Sequence, residues 1–167
     1  LTMRQETDVD PGALERVANV VHRTRDVGAS IASGSFRTEG MVVAPCSIKT
    51  LSAIANCYSA DLVARAADVT LKEGRPLILA VRETPLHQGH LALMQQASAA
   101  GAVIAPPVPA FYHRPESIDD LVDHYVGRVL TRLGLITSEP EWTGVRKLSP
   151  VAPSDRAHGA ESRSKAP

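Results

Sequence analysis

The chain has no excess of charge of either sign: its 167 residues carry 18 Lys+Arg against 18 Asp+Glu. A protein that holds nucleic acid by its overall field needs a basic balance, and that class is excluded. Aromatics make up only 4% of the residues, too few for the stacking platforms of single-strand binders. Cysteine is scarce as well, with Cys46 at a strand end and Cys57 within a predicted helix, so a disulfide framework is not expected and a reducing, cytoplasmic setting fits. No apolar run approaches the ~18 residues of a membrane span, and no basic-then-apolar signal pattern opens the chain.

What is present reads as alternating strands and helices. Met41–Ala44 is a short buried-type strand that runs into Pro45-Cys46-Ser47-Ile48-Lys49-Thr50. That sequence marks a strand passing into a helix start, with hydroxyls and a lysine at the junction. A helix start carries N–H groups without carbonyl partners and a partial positive charge, so it suits a phosphate. Helical spacing follows in Leu51, Ile54 and Tyr58 and again in Leu62, Ala66 and Val69. Pro76–Val81 is a second strand, apolar on both faces as in covered parallel sheets. Arg82 and Glu83 follow it directly. Thr84 and Pro85 suit the N-cap and first residue of a helix bearing Leu91, Met94 and Ala97, which Gly101 ends. Ala102–Ala105 is a third strand.

Three flanking segments complete the pattern. Asp10-Pro11 opens an early helix with Leu14, Val17 and Val21 on one face. The small-residue loop 26–35 either connects or lets a backbone approach a ligand or neighbouring chain. Ser117 and Asp120 form a capping-box start for a last helix that buries Val122, Tyr125, Val129 and Leu133 and stops at Gly134. Before it, the prolines of 106–112 keep that loop out of a central ladder. The βαβαβα order implies a doubly wound parallel sheet, which binds ligands outside the carboxyl ends of its strands. Ser47, Lys49, Thr50, Arg82, Glu83 and Tyr112 are therefore the candidate binding residues. Each also has an ordinary reading: helix caps, solvated lysine, surface ion pair, half-buried aromatic.

Two rival chemistries are weaker. Cys46 near a helix start has the position of a thiolate nucleophile with His87 or His113 as base, but a small buried hydrophobe fits it better. His87 and His90, three apart, have the spacing of a metal pair, yet no acidic or thiol ligand accompanies them.

Five blocks in order resemble the flavin prenyltransferases: Ser33-Gly34-Ser35-Phe36, then 45–51, Leu71-Lys72-Glu73-x-Arg75-Pro76-Leu77, Arg82-Glu83-Thr84-Pro85-Leu86, and 106–112. The resemblance covers residues 5–144. It implies a Rossmann-like, flavodoxin-like three-layer fold assembled as a homododecamer. It also implies metal-independent transfer of a dimethylallyl group from dimethylallyl phosphate to N5 and C6 of reduced FMN, yielding prenylated FMN for a partner decarboxylase of the ubiquinone or aromatic-acid type. Residue by residue, Ser47, Ile48, Lys49, Thr50 and Arg82 match FMN contacts. Lys72, Tyr112 and Arg128 match groups that hold the donor phosphate, Glu83 matches an acidic proton-handling residue, and Trp142 matches an aromatic that closes the site. The family's opening strand and Gly-Ala-Ser-Gly turn have no counterpart here. The expected organisation is a flavoprotein domain over 1–145, truncated by its first βα unit, with a disordered tail over 146–167. The other functions in view are an FMN-binding assembly subunit without catalysis and a related flavin-dependent cysteine decarboxylase.

Overall fold

The computed structural model describes residues 6–135. Trp142 and the 146–167 tail lie outside these described residues.

The fold is built on three parallel strands in the order β1-β2-β3. They are β1 (Met41–Cys46), β2 (Leu77–Val81) and β3 (Val103–Ile104). All five residues of β2 are buried, as the apolar run requires of a strand covered on both faces. Between β1 and β2 the chain forms two helices, α2 (Ile48–Ala55) and α3 (Leu62–Lys72). They follow a short α1 (Pro11–Val17) and a single 3₁₀ turn at Ser30–Ala32. The last helices are α4 (Gln88–Ala99) and α5 (Ile118–Arg132). The expected parallel sheet is present, with the expected early helix ahead of the first strand and the two runs of helical spacing after it forming two separate helices.

The core gathers Val43 and Cys46 of β1, Leu51 and Ile54 of α2, Ala67 of α3, Leu77, Leu79 and Val81 of β2, and Ala97 of α4. Small residues at 67 and 97 bring those helices close to the sheet. Burying one leucine such as Leu79 contributes about 2–3 kcal/mol. α5 opens on the expected capping box, with Ser117 Oγ accepting the Asp120 N–H and the Asp120 carboxylate accepting the Ser117 N–H. Gly101 and Gly134 follow α4 and α5 at φ +106° and +78°, a backbone region that costs glycine nothing.

Several expected boundaries move. α1 ends at Val17 and leaves Val21 outside, because none of its residues is buried and a helix this short depends on packing. Tyr58 lies beyond α2, past Cys57 at a positive φ of 52°. The start of α4 is not at Thr84-Pro85: the His87 imidazole accepts the Gly89 N–H at 3.0 Å and takes the cap instead. On α4 it is Leu93, not Leu91, that turns inward with Met94 and Ala97. On α5 Val122 is exposed, while Tyr125 is half-buried and its hydroxyl donates to the Ala105 carbonyl at 2.6 Å. β1 extends through Pro45, where its register with β2 is irregular.

Candidate functional site

At the carboxyl ends of the strands, the Arg82 N–H donates to the Cys46 carbonyl at 3.1 Å. This bond stitches the first residue after β2 to the last residue of β1. Arg82 and Glu83 are thereby set beside Ser47, the N-cap of α2. Ser47 Oγ accepts the Thr50 N–H at 3.3 Å and lies 3.2 Å from Thr50 Oγ1. Both hydroxyls face the helix start, and the N–H groups of Ile48 and Lys49 have no carbonyl partner within the helix. The side chain of Ile48 packs on the core, so it is the backbone of Ile48 that a ligand would meet. Lys49 and Thr50 also line a cleft of about 270 Å³ between α2 and α3, together with Asn56, Tyr58 and Asp61.

Arg82 engages a partner that sequence reasoning missed. Its guanidinium forks onto the Glu6 carboxylate at 2.6 and 3.0 Å. The hydrogen bond from Arg82 holds the Glu6 carboxyl below its usual range, and the same bond raises the guanidinium further. Glu6 and Arg82 are 76 residues apart, and no local pattern announces the pair. The fork is a bidentate guanidinium–carboxylate pair, in which Arg82 donates at two points to one anionic group. Glu83 is exposed, its carboxylate accepting the Thr84 N–H at 3.2 Å.

Cys46, at the same edge, is fully buried; desolvation pushes its thiol up to about 11, the reverse of an activated nucleophile. The His87 and His90 rings lie against each other, tilted by 36° with centroids 3.6 Å apart. Among the described residues no group of three or more His, Cys, Asp or Glu side chains is arranged to hold a metal.

Lys72 is not brought to this edge within one protomer. Lys72 ends α3, just before the turn into β2, and therefore lies at the opposite, amino end of the sheet. The length of β2 separates it from Arg82, about 13 Å or more at the rise of a strand. Lys72 is salt-bridged to Glu73, whose carboxyl it holds below the ordinary range. Both lie against Gly34, where an added Cβ would collide with the Glu73 carboxylate. Arg75 anchors that loop by donating to the carbonyls of Gly34 (2.8 Å) and Phe36 (2.9 Å) and to Thr38 Oγ1 (3.3 Å). The end of the small-residue loop is thus fastened to the turn between α3 and β2, and its glycine lets two charged side chains close over it. Arg128 is exposed on α5, about 15 Å along the helix from its start. Tyr112 is exposed in the loop after β3, its hydroxyl 3.0 Å from His124 Nε2.

A parallel α/β sheet with a helix start, an arginine and a carboxylate at its carboxyl edge defines a protein of the flavin- and nucleotide-binding α/β class. The Flavoprotein family profile matches residues 7–130. Flavin prenyltransferase UbiX of Escherichia coli K12 is 56% identical over 146 residues, 86% of this chain and 77% of that protein. The enzyme of the same description from Thauera aromatica is 56% identical over 144 residues, 86% of this chain and 74% of that protein. Among solved structures, AnUbiX (PadA1) in complex with FMN and dimethylallyl pyrophosphate superposes with a TM-score of 0.84 at 49% identity, covering 87% of this chain and 78% of that one. A dodecameric FMN-dependent UbiX-like decarboxylase from Escherichia coli O157:H7 superposes at 0.81 with 48% identity, covering 86% and 78%. The chain belongs to the Flavoprotein family and, within it, to the flavin prenyltransferases, enzymes that transfer a prenyl group to a flavin.

Proposed function

We propose that the chain joins a dimethylallyl group from dimethylallyl phosphate to N5 and C6 of reduced FMN, without a metal, and passes prenylated FMN to a partner decarboxylase in the cytoplasm. The observation that carries this reading is the Arg82–Cys46 backbone bond, which sets a guanidinium and the Glu83 carboxylate beside the Ser47-headed helix start. The residues fit FMN chemically. The Ser47 and Thr50 hydroxyls and the N–H groups of Ile48 and Lys49 suit its phosphate or ring acceptors, and Arg82 suits an oxyanion. Reduced flavin supplies the nucleophilic nitrogen and carbon.

The protein's part is electrostatic and steric. As the allylic C–O bond lengthens, negative charge grows on the departing phosphate. Lys72, Arg128 and the Tyr112 hydroxyl stabilise that charge from fixed positions, which is the work a divalent cation does elsewhere. When the ring closes, the alkene carbon of the prenyl unit gains a proton and C6 loses one, and Glu83 carries that proton between them. Trp142 shields the allylic fragment from water. Lys72 lies a strand length from Arg82, so one chain cannot supply both to one site. The reading therefore includes a homo-oligomer, the homododecamer of the resemblance, in which Lys72 comes from a neighbouring copy.

The test is anaerobic incubation of the protein with reduced FMN and dimethylallyl phosphate, in buffer treated to remove divalent cations, followed by mass spectrometry of the flavin. A dimethylallyl adduct is the expected product. Bound but unmodified FMN would overturn the reading in favour of a carrier or assembly subunit.

A further inference from the structure

One cluster of polar rings is not absorbed by the site described above. Tyr112, His113 and His124 meet where the loop after β3 passes over the first turns of α5. The Tyr112 hydroxyl lies 3.0 Å from His124 Nε2. The His113 ring stacks on His124 with centroids 4.3 Å apart at 28°, while Tyr112 stands edge-on to His113 at 5.4 Å and to His124 at 5.6 Å. His124 is half-buried on a well-anchored element. One helical turn before it, the Asp120 carboxylate accepts the N–H groups of Glu116 and Ser117 at 2.8 and 3.0 Å, and the next residue, Tyr125, is tied to Ala105. Those two N–H bonds hold the Asp120 carboxyl below its ordinary range, with the nearby His113 adding to the effect.

The direction of the Tyr112–His124 bond decides what the phenol can do. If the imidazole accepts, the phenol spends its single proton on His124. If the imidazole donates from Nε2, the phenol keeps its proton for another acceptor. A phosphate dianion only accepts hydrogen bonds, so it favours the second arrangement, in which each donor polarises the next. We propose that His124 is a positioning residue. Its Nε2–H holds the Tyr112 oxygen so that the phenol donates to the phosphate of the allylic substrate. This inference rests on the placement of Tyr112 at that phosphate.

Asparagine and glutamine separate donation from mere polarity. A glutamine amide reaches the position of Nε2, whereas an asparagine amide reaches only that of Nδ1. With dimethylallyl phosphate varied against saturating reduced FMN, His124→Asn is expected to raise KM about tenfold, the effect of one hydrogen bond to a charged group. His124→Gln is expected to restore KM to within about threefold of the parent, and both variants to keep the parental melting temperature within a few degrees. Combining His124→Asn with Tyr112→Phe is expected to add nothing to Tyr112→Phe alone, since the two act as one unit. Equal KM values for the Asn and Gln variants, or additive effects in the double variant, would overturn the role of His124 while leaving Tyr112 in place. A parental KM in Tyr112→Phe itself would instead remove Tyr112 from the phosphate and the inference with it.

Discussion

The two ends of the sheet are built on different principles. At the amino end, side chains hold the protein's own backbone. Arg75 closes on two loop carbonyls and a threonine hydroxyl, Gly34 lies under the Lys72–Glu73 pair, and the Met41 N–H meets the Pro76 carbonyl at 2.8 Å. At the carboxyl end, groups are presented outward: the capped start of α2, the Arg82 fork and the exposed Glu83. The first end is a structural knot that happens to carry Lys72. The second is the edge where doubly wound sheets take their ligands, and it is the edge of the proposed site. A site drawing on both ends has to be shared between copies, because a lysine side chain does not span a strand.

The sharpest break of this comparison is Arg82→Ala. It should lower product formation by about a hundredfold or more if Arg82 meets developing or fixed negative charge, measured as prenylated flavin per minute. Lys72→Ala should cost about tenfold to a hundredfold by the same argument. Reassembling a one-to-one mixture of Arg82→Ala and Lys72→Ala chains after dissociation should raise activity toward about a quarter of the parent's, the share of sites that receive both intact residues. No recovery would mean that each chain supplies its own Lys72.

Smaller effects test the two ends separately. Arg75→Ala should destabilise the fold by about 1–3 kcal/mol in urea unfolding, because three acceptors lose a charged donor. Asp120 tests the edge by pH. The Glu116 and Ser117 N–H groups lower its carboxyl in the folded state. Its contribution is therefore full above the unfolded carboxyl value of about 4 and lost as pH falls through the lower folded value. Asp120→Asn should lower the melting temperature at neutral pH and narrow its gap to the parent in acid. Last, a thiol reagent at pH 8 should label exposed Cys57 in the native protein and reach buried Cys46, with its thiol pushed up to about 11, only after unfolding.

Much of this was legible in the sequence. The apolar run at 77–81 has no polar face, so it specifies a strand covered on both sides. Ser47 and Ser117 cap the starts of α2 and α5, and Gly101 and Gly134 follow the ends of α4 and α5. Five motif blocks in order carried the family. The less legible positions depend on contacts made far along the chain. Val21 and Val122 have helical spacing without a surface to bury against. Leu91 and Leu93 satisfy similar periodicities, and only the approach of α4 to the sheet selects Leu93. The Glu6–Arg82 fork and the Tyr112–His124 bond join residues of different elements whose local sequence gives no sign of the other.

The sequence by itself determined the strand-helix alternation, the capped helix start after β1 and the family, because these follow from local periodicity, capping chemistry and ordered motifs. Only the tertiary structure decided that Ser47 and Arg82 share one edge while Lys72 stands at the other. Parallel pairing of β1 with β2 brings the strand ends together, and α3, running back across the sheet, necessarily delivers its last residue to the opposite end.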